Sequence, residues 1–260
     1  MAEITKNNAA AVVAAARSKQ KITTKELITQ LFPNFIQLHG DRCGGDDPAI
    51  IGGLATFAHQ PVTVIATDRG TAIEERVATH FGCPTPSGYR KALRLAKQAA
   101  KFHRPVLFFV NTPGAYPGQS AEEDGQGAAI ADNLLQISQL PTPIITVIFG
   151  EGGSGGALAL ACGDEVWMLE NSTYSILSPE GFASILWKDS SRSDEAAEIM
   201  QLTPSDLLRK RVIEGIIPEP ADHQQVTAEI RDVLSKRLKK LNEFSGAELL
   251  QRRQKRYRKF

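Results

Sequence analysis

Residues Gly150–Gly156 (Gly-Glu-Gly-Gly-Ser-Gly-Gly) place five glycines in seven positions, between an apolar β-branched run and the small residues Ala157–Ala161. Such a turn leaves several backbone N–H groups bare and pointing the same way at the start of a helix, where the macrodipole adds positive potential. The chemistry open to it is anion binding: a phosphate, a carboxylate, or an oxyanion that exists only during a reaction. A second turn, Asn111–Gly118 (Asn-Thr-Pro-Gly-Ala-Tyr-Pro-Gly), follows another apolar run. Pro113 and Pro117 stiffen it, while Gly114 and Gly118 permit unusual backbone angles. A plain strand-to-helix turn does not need two rigid prolines around an aromatic. Gly114, Ala115, Tyr116, Pro117 and Gly118 are therefore expected to wall a substrate at the carboxyl end of a strand.

Two common anion cradles fit poorly. Gly150–Gly155 has the spacing GxGxxG, and Glu170 ends the next strand-like run, as in a dinucleotide fold. The helix available between Gly155 and Cys162 is only about two turns long, short for a crossover to an adjacent parallel strand. The motif also lies mid-chain, behind a second glycine turn. No Gly-Lys-Ser/Thr follows, so a P-loop is excluded. The plain role left for Gly155 and Gly156 is close packing of helix on strand.

The elements that must position these turns alternate along the chain. Thr23–Leu31 reads as a short helix, and His39–Pro48, glycine-rich among acids, as an irregular loop. Ile50–Phe57 and Pro61–Thr67 form a predicted hairpin. Gly88–Phe102 is an amphipathic helix, with Leu93, Ala96 and Ala100 apolar and its basic residues mostly elsewhere. Val106–Val110, Ile144–Phe149 and Glu165–Leu169 read as buried parallel strands, and Ser120–Leu140 as one helix. Strand, glycine turn, helix and strand repeat, which predicts an α/β fold. Beyond Ser190 the pattern is mostly helical: a helix opened by Thr203-Pro204, a charged one over Thr227–Asn242, and a last one from Ala247.

Composition excludes several classes. The 260 residues carry a net charge of +1, with no bias towards nucleic acid or an anionic membrane. Cys43, Cys83 and Cys162 form no CxxC pair, so neither a disulfide framework nor a zinc ribbon is supported. Residues 1–20 hold no apolar run long enough for a signal or anchor, and a cytoplasmic location is expected. The five histidines, His39, His59, His80, His103 and His223, form no metal-ligand cluster.

An ordered series of motifs carries a resemblance. Leu38-His-Gly-Asp-Arg42, Asp46-Asp-Pro-Ala-Ile50 with Gly52-Gly53, and Gly88-Tyr-Arg-Lys-Ala-Leu-Arg-Leu95 come first. The Thr112–Gly118 and Gly150–Ala159 turns, Tyr174–Gly181 and Ile185-Leu-Trp-Lys188 follow. Over residues 30–220 the chain strongly resembles the carboxyltransferase alpha subunit of bacterial multisubunit acetyl-CoA carboxylase. It departs where many members have Gly-His-Gln-Lys-Gly and this chain has Ala66–Gly70, and where Asp usually stands at Asn111. The resemblance implies a crotonase-like ββα-spiral with C-terminal helices. Three segments are expected: residues 1–30 helical, 31–220 the carboxyltransferase domain, and 221–260 a helical extension. It further implies carboxyl transfer from carboxybiotin, on a biotin carboxyl carrier protein, to acetyl-CoA, giving malonyl-CoA for fatty acid biosynthesis. Biotin is then neither bound covalently by this chain nor joined by a metal in it. Gly155 and Gly156 become the biotin-side oxyanion hole, with Gly152, Gly153 and Ser154 shaping the approach. A zinc-ribbon beta subunit completes an α2β2 heterotetramer, active only as such and in one ATP-dependent complex with biotin carboxylase.

Other residues carry weaker readings. Arg90, Lys91 and Arg94 form a solvated helix face or meet CoA phosphates. Ser178–Gly181 lines the site or makes a turn, and Trp187 is core or interface. The basic stretch Gln251–Phe260 reads as a solvated helix end. Two other classes remain open: a stand-alone crotonase-type hydratase or hydrolase using Glu151 and Glu180, and a non-catalytic dinucleotide module. Gly156→Val is expected to abolish transfer while leaving the fold largely intact.

Overall fold

The computed structural model describes residues 8–260. One eight-stranded sheet organises it. Its strands are β1 (Ile36–Gln37), β2 (Ile50–Phe57), β3 (Gln60–Thr67), β4 (Val106–Thr112), β5 (Ile144–Gly153), β6 (Glu165–Leu169), β7 (Thr173–Ser175) and β8 (Gly215–Ile217). The order is β1-β2-β3-β4-β5-β6-β8, and β7 pairs with the far end of β5. The β1–β2–β3 segment is antiparallel and every later pairing is parallel. The expected hairpin is present, turning at Ala58 and His59, both with positive φ as a two-residue type I′ turn requires.

Among the described residues, twelve α-helices connect and cover the strands. In chain order they are α1 (Ala9–Ala16), α2 (Thr24–Leu31), α3 (Ile73–Ala78), α4 (Pro86–Lys101), α5 (Gln119–Glu123) and α6 (Gln126–Ile137). There follow α7 (Ser154–Leu158), α8 (Pro179–Trp187), α9 (Ser193–Met200), α10 (Pro204–Arg209), α11 (His223–Leu241) and α12 (Gly246–Tyr257). Alternate strand residues feed two cores. Leu107, Phe109, Ile145 and Val147 face the layer with α2 and α11, where Val226, Ile230, Leu234 and Leu238 recur on one helix face. Val106, Phe108, Val110 and Ile148 face α4, α6 and α7. Both faces are covered, so the central strands are continuous apolar runs.

Several boundaries differ from the sequence pattern. The single helix expected over Ser120–Leu140 is two, broken where Gly125 adopts φ +85°. The β5 strand continues through the glycines to Gly153 because β7, three residues long, pairs with Glu151–Gly153. The helix after it ends at Leu158, so α7 is only five residues. The charged helix starts at His223 rather than Thr227, capped by Asp222. At the N-terminal end, α1 packs on α9 and touches β5 and β7.

The basic C-terminal stretch is a solvated helix end on one face only: Arg252, Lys255, Arg258 and Lys259 are exposed, whereas Arg253 and Arg256 are buried. Arg253 is 1% exposed. Its guanidinium donates to both carboxylate oxygens of Asp164 (3.0 and 2.8 Å) and to the carbonyls of Ile137, Ser138, Leu140 and Thr142. Asp164 in turn accepts from the N–H of Ile144, the first residue of β5. Burial pushes the Asp164 carboxyl up, and the Arg253 pair opposes that. Arg256 holds Glu214 and the Val212 carbonyl, and the Tyr257 hydroxyl donates to the carbonyl of Ala161 just beyond α7. The last helix thus ties down the strand and helix that flank the glycine turn. Removing one partner of a buried, multiply bonded ion pair costs about 3–5 kcal/mol. Arg253→Met is expected to destabilise by that order in denaturant unfolding, and adding Asp164→Leu should recover part of the loss.

Candidate active site

The two glycine turns leave from adjacent parallel strands, with Thr112 opposite Gly152 in the β4–β5 register. They meet backbone to backbone. A Cβ on Gly153 would strike the Pro113 carbonyl, and one on Gly156 would lie 2.5 Å from the Ala115 nitrogen and 2.6 Å from the Tyr89 hydroxyl. Only glycine permits this approach. Thr112 fixes the first turn from within: its Oγ1 donates to the Gly114 carbonyl (2.9 Å) and accepts from the Gly114 N–H (3.1 Å). Ser154 opens α7 with φ +49°, a left-handed conformation that costs a non-glycine residue about 1 kcal/mol or more.

Gly155 and Gly156 stand in the first turn of α7, so their N–H groups have no intrahelical partner, and no side chain caps that turn. The macrodipole adds little here, since α7 is a single turn and a half; the bare amides themselves are the donors. Beside them lies an apolar cavity of about 320 Å³, lined by Ser154, Gly155, Leu158, Tyr174, Ile176 and Val212 among others. Gly155 has room, with Ile130 at 3.8 Å the nearest neighbour of an added Cβ.

The expected substrate wall divides. Gly114 and Ala115 sit at the joint with Gly156. The Tyr116 ring instead stacks on His80 with 4.1 Å between centroids, over the space Gly118 leaves by lacking a Cβ. None of Gly114–Gly118 lines the cavity beside Gly155.

Both acids that a hydratase would need are engaged. Glu151 is bridged by Arg17 Nε (2.7 Å) and Arg69 (2.6 Å), and Arg17 reaches on to Glu180 at 2.6 Å. The hydrogen bond from Arg17 holds the Glu180 carboxyl below its usual range, the reverse of what a general acid requires. The positions that depart from the family pattern fall in this same network. The Asn111 N–H donates to Thr67 Oγ1 (2.6 Å), and its side-chain oxygen accepts from the Glu151 N–H (3.0 Å) and from Arg69 (3.4 Å). Thr67, Arg69 and Asn111 thereby pin β3, β4 and β5 at the level of the turns.

Of Arg90, Lys91 and Arg94, only Lys91 leaves the solvated face; Arg90 and Arg94 are half-buried and already hydrogen-bonded. Lys91 is 1% exposed and pairs with Asp46 at 2.6 Å, Arg90 pairs with Asp41 at 2.8 Å, and Arg94 donates to the Gly40 carbonyl. Burial works to raise the Asp46 carboxyl, but hydrogen bonds led by that from Lys91 hold it down at about 2. Together these cations fasten the His39–Pro48 loop onto α4. Trp187 packs edge-on against Phe182 under the Arg192 guanidinium. Sequence reading missed Tyr89, whose place inside the Gly88–Leu95 motif was its only signal, and Arg17, which had none.

The family model for acetyl co-enzyme A carboxylase carboxyltransferase-like chains matches residues 2–260. The chain belongs to that family. Similar relatives are alpha subunits of acetyl-coenzyme A carboxylase carboxyl transferase. That of Streptococcus sanguinis is 50% identical over 96% of this chain and 98% of its own length. That of Halalkalibacterium halodurans is 52% identical over 95% of this chain and 78% of its own. This carboxyltransferase alpha-subunit chain also shares its α/β fold with solved structures. Transcarboxylase 12S superposes with a TM-score of 0.72 at 18% identity, over 88% of this chain and 43% of that one. The beta subunit of Pseudomonas aeruginosa geranyl-CoA carboxylase gives 0.64 at 16%, over 86% and 43%. This chain thus spans less than half of either solved chain. No helix among the described residues is long and apolar enough to cross a membrane.

The joint overturns Gly156→Val as a clean test, since any side chain there must displace the Ala115 backbone. Overpacking of this kind costs about 1–3 kcal/mol. Gly156→Ala is expected to lower the denaturant midpoint accordingly, whereas Gly155→Ala should leave it unchanged or raised. Equal behaviour of the two would contradict the close packing described.

Proposed function

We propose that Gly155 and Gly156 form the oxyanion hole for the biotin side of carboxyl transfer from carboxybiotin, borne on a carrier protein, to acetyl-CoA, yielding malonyl-CoA. The observation that carries this reading is the uncapped first turn of α7, whose Gly155 lines an apolar cavity of about 320 Å³ with Gly156 next to it in the turn. Those residues fit the group: the amides match an oxygen that gains negative charge, and Leu158, Tyr174, Ile176 and Val212 offer an apolar wall for a bicyclic ring. When bound, carboxybiotin supplies the activated carboxyl group, and its ureido oxygen takes up charge as that group leaves.

The chain's own part is electrostatic and positional. Fixed backbone N–H groups stabilise developing charge without reorganising, and an oxyanion-hole donor is typically worth about 10²–10³ in rate. Gly152 and Gly153, held by pairing with Tyr174 and Ser175 of β7, set where those amides point. Ser154 supplies the left-handed step that turns the strand into the helix. With Glu151 and Glu180 locked in ion pairs, the chain offers no free carboxylate at this turn for acid–base work, which disfavours a hydratase acting alone. The enolate-side donors then belong to a partner. We infer a zinc-ribbon beta subunit in an α2β2 assembly, working in the cytoplasm beside the carrier protein and biotin carboxylase on the route to fatty acids.

The test is malonyl-CoA-dependent carboxylation of biocytin, measured for the chain alone and mixed with a beta subunit. Activity is expected only in the mixture, and Gly155→Val, whose branched side chain projects at the mouth of the site, should remove it without unfolding the protein. Turnover by the chain alone, or full activity of that variant, contradicts the reading.

A further inference from the structure

Tyr89 lies on α4, is 0% exposed, and its hydroxyl has no hydrogen-bond partner among the described residues. Burial pushes its pKa upward, so it stays a neutral phenol. Buried hydroxyls almost always find a partner, because leaving one unpaired costs about 1–3 kcal/mol. This one sits against Gly156, beside the Ala115 N–H, at the place where the two glycine turns touch. The Ala115 N–H also has no acceptor among the described residues. An unpaired hydroxyl and an unpaired amide therefore face the same glycine without bonding to each other.

We propose that Tyr89 is a positioning residue for carboxyl transfer. Its hydroxyl is the spare polar group of the joint: when the turns tighten around the transferring carboxyl group, it accepts the Ala115 N–H and locks Gly156 in place. The phenol has almost no solvent contact, so it acts through Gly156 rather than on the substrate. The proposal rests on Gly155 and Gly156 being the oxyanion site. In the resting protein the hydroxyl is a net cost to stability, and the hydrogen bond it forms appears only along the reaction. An interaction gained on the way to the transition state raises kcat more than it lowers KM.

Tyr89→Phe removes the oxygen and nothing else. In the mixture with the beta subunit, the variant is expected to lose about tenfold in kcat for biocytin carboxylation, the worth of one hydrogen bond, with KM for biocytin within about twofold. Its Tm should be unchanged or higher, since an unsatisfied buried group has gone. An unchanged kcat overturns the proposal, and so does a loss of kcat that comes with a lowered Tm, because the hydroxyl would then be supporting the fold. Gly155→Val run alongside separates the two readings. If it stays active, the oxyanion assignment itself has failed; if it is inactive while Tyr89→Phe is normal, only the role of Tyr89 has.

Discussion

The site depends on backbone touching backbone. At Gly153 and Gly156 a single added carbon would collide with Pro113 or Ala115, so the two turns are held at a separation that no side chain allows. That separation aims the Gly155 and Gly156 amides, because α7 has nowhere to roll once Gly156 is seated on the preceding turn. A protein interior is packed densely enough to transmit such a constraint. Preorganised donors are effective for the same reason: their orientation is fixed before charge develops.

Much of the surrounding structure can be understood as holding that contact. The β4–β5 pairing brings Thr112 opposite Gly152, and Asn111 stitches the same two strands through the Glu151 N–H. Arg17 and Arg69 converge on Glu151 from α1 and from the end of β3, which ties elements distant in sequence to the glycine strand. Below it, Arg253 closes on Asp164 and the chain entering β5, and Tyr257 reaches the carbonyl of Ala161 beyond α7. Buried ion pairs of this kind add little net stability over apolar packing, and their value here is in fixing geometry. The cations of α4 do comparable work on the other side of the site by anchoring the His39–Pro48 loop.

The two glycine turns, the β2–β3 hairpin and the central strands were legible in the sequence, because spacing and apolar runs express them directly. Short strands were not. Paired segments of two or three residues, such as β1, β7 and β8, exist only through their neighbours and leave no periodic trace. Charged side chains were misread for a related reason. Lys91 and Arg253 sit where a helical pattern reads solvent, and nothing local reveals that Asp46 and Asp164 fold over to meet them. The candidate site followed the same division: the glycine turns stood out by their spacing, whereas the meeting of Gly114 and Ala115 with Gly153 and Gly156, the turn of Tyr116 to His80 and the burial of Tyr89 emerge only from the tertiary contacts. The resemblance named the chemistry, and the tertiary contacts distinguish Gly155, which has room, from Gly156, which has none.

The most direct measurement of the central claim is to remove one N–H without touching the shape of the turn. Replacing Gly155 by glycolate through semisynthesis exchanges the amide for an ester, and transfer is then measured in the assembled enzyme. A fall of about 10²-fold or more in rate with an unchanged unfolding midpoint is the predicted result. Transfer at the unmodified rate would contradict it, and the amides would then serve only to pack helix on strand.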